Sequence, residues 1–144
     1  MLVNQILNSK KNNFVETVER TTSVKVITDI LVSKKIGSVI ISSDGQILEG
    51  IVSERDIVRT ISQHGRSALD LKASNIMTKK LYACKLDTNG DHVLFLMNEK
   101  RFRRMPVVEG GRLVGIITQG DVVKAKLSEI SMEKDALESM IAGY

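Results

Sequence analysis

The sequence predicts a mixed α/β (α+β) fold. Two pseudo-symmetric β-α-β-β-α repeats pack sheet to sheet, with helices at both ends of the chain. Three observations predict this. "GIVSERDIVR", at 50–59, returns as "GIITQGDVVK" at 115–124, and internal repetition of this kind decides an architecture before anything else does. Each copy alternates short β-branched runs with segments whose apolar residues recur at helical spacing. Each copy also carries a glycine turn between two such runs, the mark of a hairpin.

Sliding the sequence on itself by 66 residues sets Val18 on Cys84, Thr22 on Thr88, Ile27 on Val93, Leu31 on Met97, Ile36 on Phe102 and Ile41 on Val107. After the hairpin the offset becomes 65, with Gly50 on Gly115, Ser53 on Thr118 and Asp56 on Asp121. The turn absorbs the lost residue. A unit of about 45 residues rarely builds a sufficient core alone, so duplication supplies the missing half.

The elements follow in order. "LVNQIL" forms a short N-terminal helix. "FVETV" and "LYACKL" open the two copies as strands. Val24, Ile27, Ile30 and Leu31 share one helix face behind Ser23 as N-cap; Val93, Leu96 and Met97 share the other, behind Asn89 or Asp91. "SVIIS" and "ILEGIVS" flank Asp44-Gly45, while "MPVVE" and "RLVGIIT" flank Gly110-Gly111. Such turns need positive φ. Pro106, the only proline, falls at a strand start, where a missing N–H is tolerated. A second helix opens at Ser53 and again at Thr118. The last runs on as one long helix, with Val123, Leu127, Ile130, Leu137 and Met140 or Ile141 on one side. That side either packs on the chain's own module or contacts a second copy. The boundaries are 1–13 for the N-terminal helix, 14–67 and 80–127 for the repeats, 68–79 for a linker and 128–144 for the C-terminal helix.

Composition narrows the function. The chain is 42% hydrophobic and 26% charged, as in a soluble globular protein. No apolar run reaches a membrane span, and the N-terminus lacks a secretory layout, so a cytoplasmic location is expected. Cys84 is the only cysteine, so an intramolecular disulfide is excluded, and its apolar strand marks it as core. His92 at a helix start and His64 in a loop lack partners at metal-ligand spacing. No nucleophile–base–orienter set is visible, so an enzyme is not expected. The net charge of +4 with 3% aromatic residues argues against nucleic acid.

The repeated Ser/Thr-x-x-Asp has two readings. In one, Ser53–Asp56 and Thr118–Asp121 are capping boxes that stabilise their helices by about 1 kcal/mol. In the other, free N–H groups at the helix starts attract phosphate, the carboxylates accept a ribose diol, and Ile51, Val52, Ile116 and Ile117 hold an adenine ring.

Gly-hydrophobic-hydrophobic-Ser/Thr-x-x-Asp twice in register, with "RFRRMPVV", resembles a tandem CBS domain pair, or Bateman module, over about residues 10–130. The resemblance implies an adenosyl ligand, among AMP, ADP, ATP, NAD(H) and S-adenosylmethionine, and a homodimer. It also implies clefts shared between copies. Ser53 and Asp56, with Ile51, would face Thr78, Lys79, Arg103, Arg104, Met105 and Pro106. Thr118 and Asp121, with Ile116, would face Thr17, Gly37, Ser38 and Val39. Arginine clamps phosphate bidentately, so the Asp56 cleft is expected to hold phosphate more strongly and the Asp121 cleft to suit a less charged group. Arg55 either reaches phosphate or is solvated. The function expected is a ligand-sensing module acting in trans on a protein partner that the sequence does not identify. A basic-surface nucleic-acid binder and a purely structural dimerisation module are the alternatives.

Overall fold

The computed structural model describes residues 1–143. The chain divides into two compact units. One comprises Phe14–Ala83 with Val108–Gly115, and the other Met1–Asn13, Cys84–Val107 and Ile116–Tyr144.

In the unit built on the first copy, β1 (Thr17–Val18) pairs in parallel with β2 (Ser38–Ile41), which pairs antiparallel with β3 (Gly50–Ser53). The helix between β1 and β2, α2 (Val24–Lys34), is capped by Ser23, whose side chain accepts from Val26 N–H. Its Val24, Ile27 and Leu31 are buried against Val39, Ile41 and Val52 of the sheet. After β3 come α3 (Glu54–His64), a 3₁₀ turn (Gly65–Asp70) and α4 (Ala73–Ile76). Ile57 of α3 and Ala73 of α4 close this core.

The second copy repeats the plan. Cys84 bridges in parallel to Val107 of β4 (Arg104–Glu109), as Val18 does to Ile41. The sequence alignment had set these two pairs on one another. β4 pairs with β5 (Arg112–Thr118) across Gly110 and Gly111, whose φ values of 58° and 77° supply the turn. Asn89 caps α5 (Gly90–Lys100). One helix, α6 (Gln119–Ile141), follows β5 without interruption. Val93, Met97, Met105, Val107, Ile117 and Val122 form the core, joined by Val3, Ile6 and Leu7 of α1 (Val3–Ser9).

The expected strands shorten. "LYACKL" contributes one bridging residue, and "ILEGIVS" becomes a strand only from Gly50. Asp44 accounts for the second loss, since its Oδ1 accepts from Gln46 and Ile47 N–H and holds the chain in a turn. His64 ends α3 and does not lie in a loop.

Each copy is completed by a segment that precedes a repeat. In one, Val24 N–H donates to Leu71 O and Ala73 N–H to Thr22 O. In the other, Gly90 N–H donates to Met1 O and Val3 N–H to Thr88 O. α1 therefore serves the second copy as the 71–76 segment serves the first. Gly50 shows how close this docking is: a Cβ there would lie 2.7 Å from Met77 Sδ and 3.1 Å from Thr78 O.

These contacts predict that Ile6→Ala destabilises the protein by about 2–5 kcal/mol, the cost of emptying a core site. Val32→Ala, on an exposed residue of α2, should stay within about 0.5 kcal/mol. Urea unfolding midpoints of the two variants check this.

Candidate functional site: two strand-to-helix junctions

Register decides which side chains share a sheet face, because directly opposed residues point the same way. In the first copy Ser38 opposes Ser53, Ile40 opposes Ile51, and Thr17 pairs with Ile40. Thr17, Ser38, Ile40, Ile51 and Ser53 thus lie on one face. Val39, Ile41 and Val52 lie on the other, buried under the helices. The same alternation puts Met105, Val107 and Ile117 in the second core, with Arg104, Pro106, Ile116 and Thr118 on the opposite face. Val39 and Met105 of the expected ligand set turn their side chains into the cores. Their side chains are 1% and 0% exposed in core positions, so only their main chain is available to a ligand.

Both capping boxes form. Ser53 N–H donates to Asp56 Oδ2 at 2.8 Å, and Asp56 N–H returns to Ser53 Oγ at 3.4 Å. Thr118 N–H donates to Asp121 Oδ2 at 2.9 Å, and Asp121 N–H to Thr118 Oγ1 at 3.0 Å. The next amides are also spent: Glu54 N–H on Gly37 O, and Gln119 N–H on Arg103 O. The expected free N–H cradle for phosphate is therefore largely occupied, and an anion would depend on side chains.

The carboxylates keep some capacity. Asp56 is 6% exposed; its Oδ2 also accepts from Ser53 Oγ, and its Oδ1 meets Arg59 Nη1 at 3.4 Å. Asp121 Oδ1 takes no hydrogen bond among the described residues, while Oδ2 is ion-paired with Lys10 Nζ at 2.9 Å. The sequence assigned no cation to Asp121. Lys10 was missed because it precedes the repeats and is brought in by α1, 106 positions from Ile116, whose carbonyl it also reaches. Burial raises the Asp121 pKa. Hydrogen bonds from Lys10 and Thr118, with the Lys10 charge, outweigh it and hold the carboxyl below its ordinary value.

Ser38 Oγ is buried with no hydrogen-bond partner. Its neighbours on that face are the Ser53 hydroxyl and the side chain of Ile40. Thr78 is held beside this sheet by two bonds to Ile51, N–H to O at 2.9 Å and O from N–H at 3.1 Å. Thr17, Gly37, Ser38, Ile51, Ser53, Asp56, Thr78 and Lys79 belong to one unit; Arg103, Arg104, Met105, Pro106, Ile116, Thr118 and Asp121 belong to the other. Cys84 is buried, and that burial pushes its thiol up to about 11.

A duplicated strand-to-helix junction, each copy with a hydroxyl and an acid three residues apart, defines a tandem-repeat module. The chain belongs to the CBS domain family: it matches the CBS domain at residues 10–63 and again at 73–128. A CBS-domain protein of Agrobacterium tumefaciens, ATU1752, is similar at 37% identity and a TM-score of 0.82, over 88% of this chain and 99% of that one. The CBS domain pair of MJ0100, solved with 5'-methylthioadenosine and S-adenosyl-L-methionine, is 26% identical with a TM-score of 0.76, over 90% and 98%. CBSX2 in complex with AMP is 29% identical with a TM-score of 0.72, over 88% and 97%. The chain spans about half the length of the curated relatives it matches, 54%, 47% and 58% of the first three. No helix among the described residues is long and apolar enough to cross a membrane.

The lowered Asp121 pKa has a direct consequence. A carboxyl depressed below its unfolded value near 3.9 contributes stability that is fully present above that pH and fades as pH falls through the folded value. Wild type should therefore exceed Asp121→Asn in stability at pH 6, and the lead should shrink at pH 3. Urea unfolding at both values checks it; an equal lead at both contradicts it.

Proposed function

We propose that this protein is a regulatory module that binds an adenosyl compound, with occupancy read by a protein partner. One observation carries the reading: the buried, unpartnered hydroxyl of Ser38 beside the Ser53–Asp56 junction. A buried hydroxyl without a partner costs about 1–3 kcal/mol, and a ligand oxygen or nitrogen placed there would recover it. The surrounding chemistry suits a nucleoside. Asp56 accepts from a ribose diol, Ser38 and Ser53 supply hydroxyls, and Ile51 offers an apolar surface on the same face. The ligands of MJ0100 and CBSX2, both adenosyl compounds, support the class. Thr118 and Asp121 hold the equivalent group in the second copy, with Arg104, Pro106 and Ile116 on that face.

Self-association as a homodimer is part of the proposal. Leu127, Ile130, Leu137 and Ile141 are 63%, 49%, 58% and 86% exposed along α6. Such a row on a long helix is the kind of surface a second copy covers. Leu137→Lys should shift the protein toward monomer by light scattering; an unchanged mass contradicts this arrangement.

The ligand reading is tested by calorimetry and thermal shift with AMP. An excess of about 100 times the dissociation constant stabilises by about 2.7 kcal/mol. Ser38→Ala removes a hydroxyl that has nothing to lose in the free protein. The variant should melt at or above the wild-type temperature and bind AMP about 2–10 times more weakly. No thermal shift with AMP, methylthioadenosine or S-adenosylmethionine would refute the function.

A further inference from the structure

The two junctions differ in one contact that the repeat does not predict. In the first copy the carbonyl of Ile51 accepts from the main-chain N–H of Thr78. In the second, the equivalent carbonyl of Ile116 accepts from the ammonium of Lys10 at 3.1 Å. The same Nζ lies 2.9 Å from Asp121 Oδ2, and the two side chains are only 18% and 22% exposed. An edge hydrogen bond in one copy has become a charge in the other. The cause is local. α1 runs seven residues where α4 runs four, so the chain leaves the helix later. The side chain of Lys10 then reaches β5, where the first copy uses an extended backbone.

The ion pair faces a groove of about 830 Å³ between α1 and α6, whose lining includes Ser9, Lys11, Lys124 and Ser128 as well as Lys10 and Asp121. Three of these are lysines, and the acidic residues of the lining are Asp121 and Glu129, so a group entering beside Asp121 meets a small excess of positive charge. A neutral nucleoside gains little from it and must compete with Lys10 for Asp121. An anionic group can draw the ammonium off the carboxylate and keep it, exchanging one charge-assisted contact for another.

We propose that Lys10 is the selectivity residue of the Asp121 site, admitting phosphorylated adenosyl ligands and discriminating against neutral or cationic ones. The inference rests on the adenosyl reading above. It reverses the charge preference that the sequence implied for this copy.

The test is calorimetry with AMP and adenosine, made in an Asp56→Asn background so that the Asp121 site is read alone. Lys10→Met should weaken AMP about tenfold or more and tighten adenosine, collapsing the preference. Lys10→Arg should preserve it. If Lys10→Met melts well below wild type, Lys10→Gln carries the same comparison. An unchanged AMP-to-adenosine ratio, or parallel weakening of both ligands, overturns the role of Lys10 and leaves the adenosyl reading standing. Failure of every variant, wild type included, to bind either ligand overturns both.

Discussion

Everything in this protein turns on a reciprocal hydrogen bond made twice. A hydroxyl at the end of a strand accepts from an amide three residues on, and the acid there accepts from the amide the hydroxyl residue carries. The exchange fixes where β3 stops and α3 starts, and where β5 stops and α6 starts. It commits Oδ2 of each Asp to the backbone. What remains is a carboxylate held rigidly at a sheet edge with part of its hydrogen-bonding capacity in reserve. The structural and ligand readings of the motif are therefore compatible, because one oxygen caps the helix and the other, met at 3.4 Å by Arg59 in Asp56, keeps acceptor capacity. A preorganised acceptor loses little entropy on binding.

The second constraint is that neither copy is finished by its own repeat. The segment at 71–76 completes one, and residues 1–4 complete the other. The two segments are alike in their first hydrogen bonds and diverge afterwards, since one continues as backbone against Ile51 and the other delivers Lys10 to Ile116. Duplication thus gave two junctions of the same geometry, and the unrepeated segments gave them different charge.

Much of the architecture was legible because its signals are local. Asp44-Gly45 and Gly110-Gly111 marked the turns, Ser23 and Asn89 the caps, and the 66-residue offset matched the observed parallel bridges at Val18–Ile41 and Cys84–Val107. What stayed hidden is non-local or depends on register. Val39 and Met105 stand in the expected ligand set beside Ser38 and Arg104, and only strand alternation assigns their side chains to the cores. The ends of α2 and α5 carried no glycine signal, since Lys35 and Arg101 adopt the left-handed conformation, at φ of 54° and 58°. Lys10 lay outside the repeat, so no self-comparison could reach it. Ser38 was visible as a candidate, but its missing partner was not.

The proposed adenosyl site rests on the buried, unpartnered Ser38 hydroxyl beside Ser53. An amide-resolved NMR titration with AMP examines this most directly. Saturable shifts are expected at Ser38, Ser53 and Asp56, with the core amides of Val24 and Ile27 unmoved. Millimolar AMP that leaves Ser38 and Ser53 where they were would contradict it.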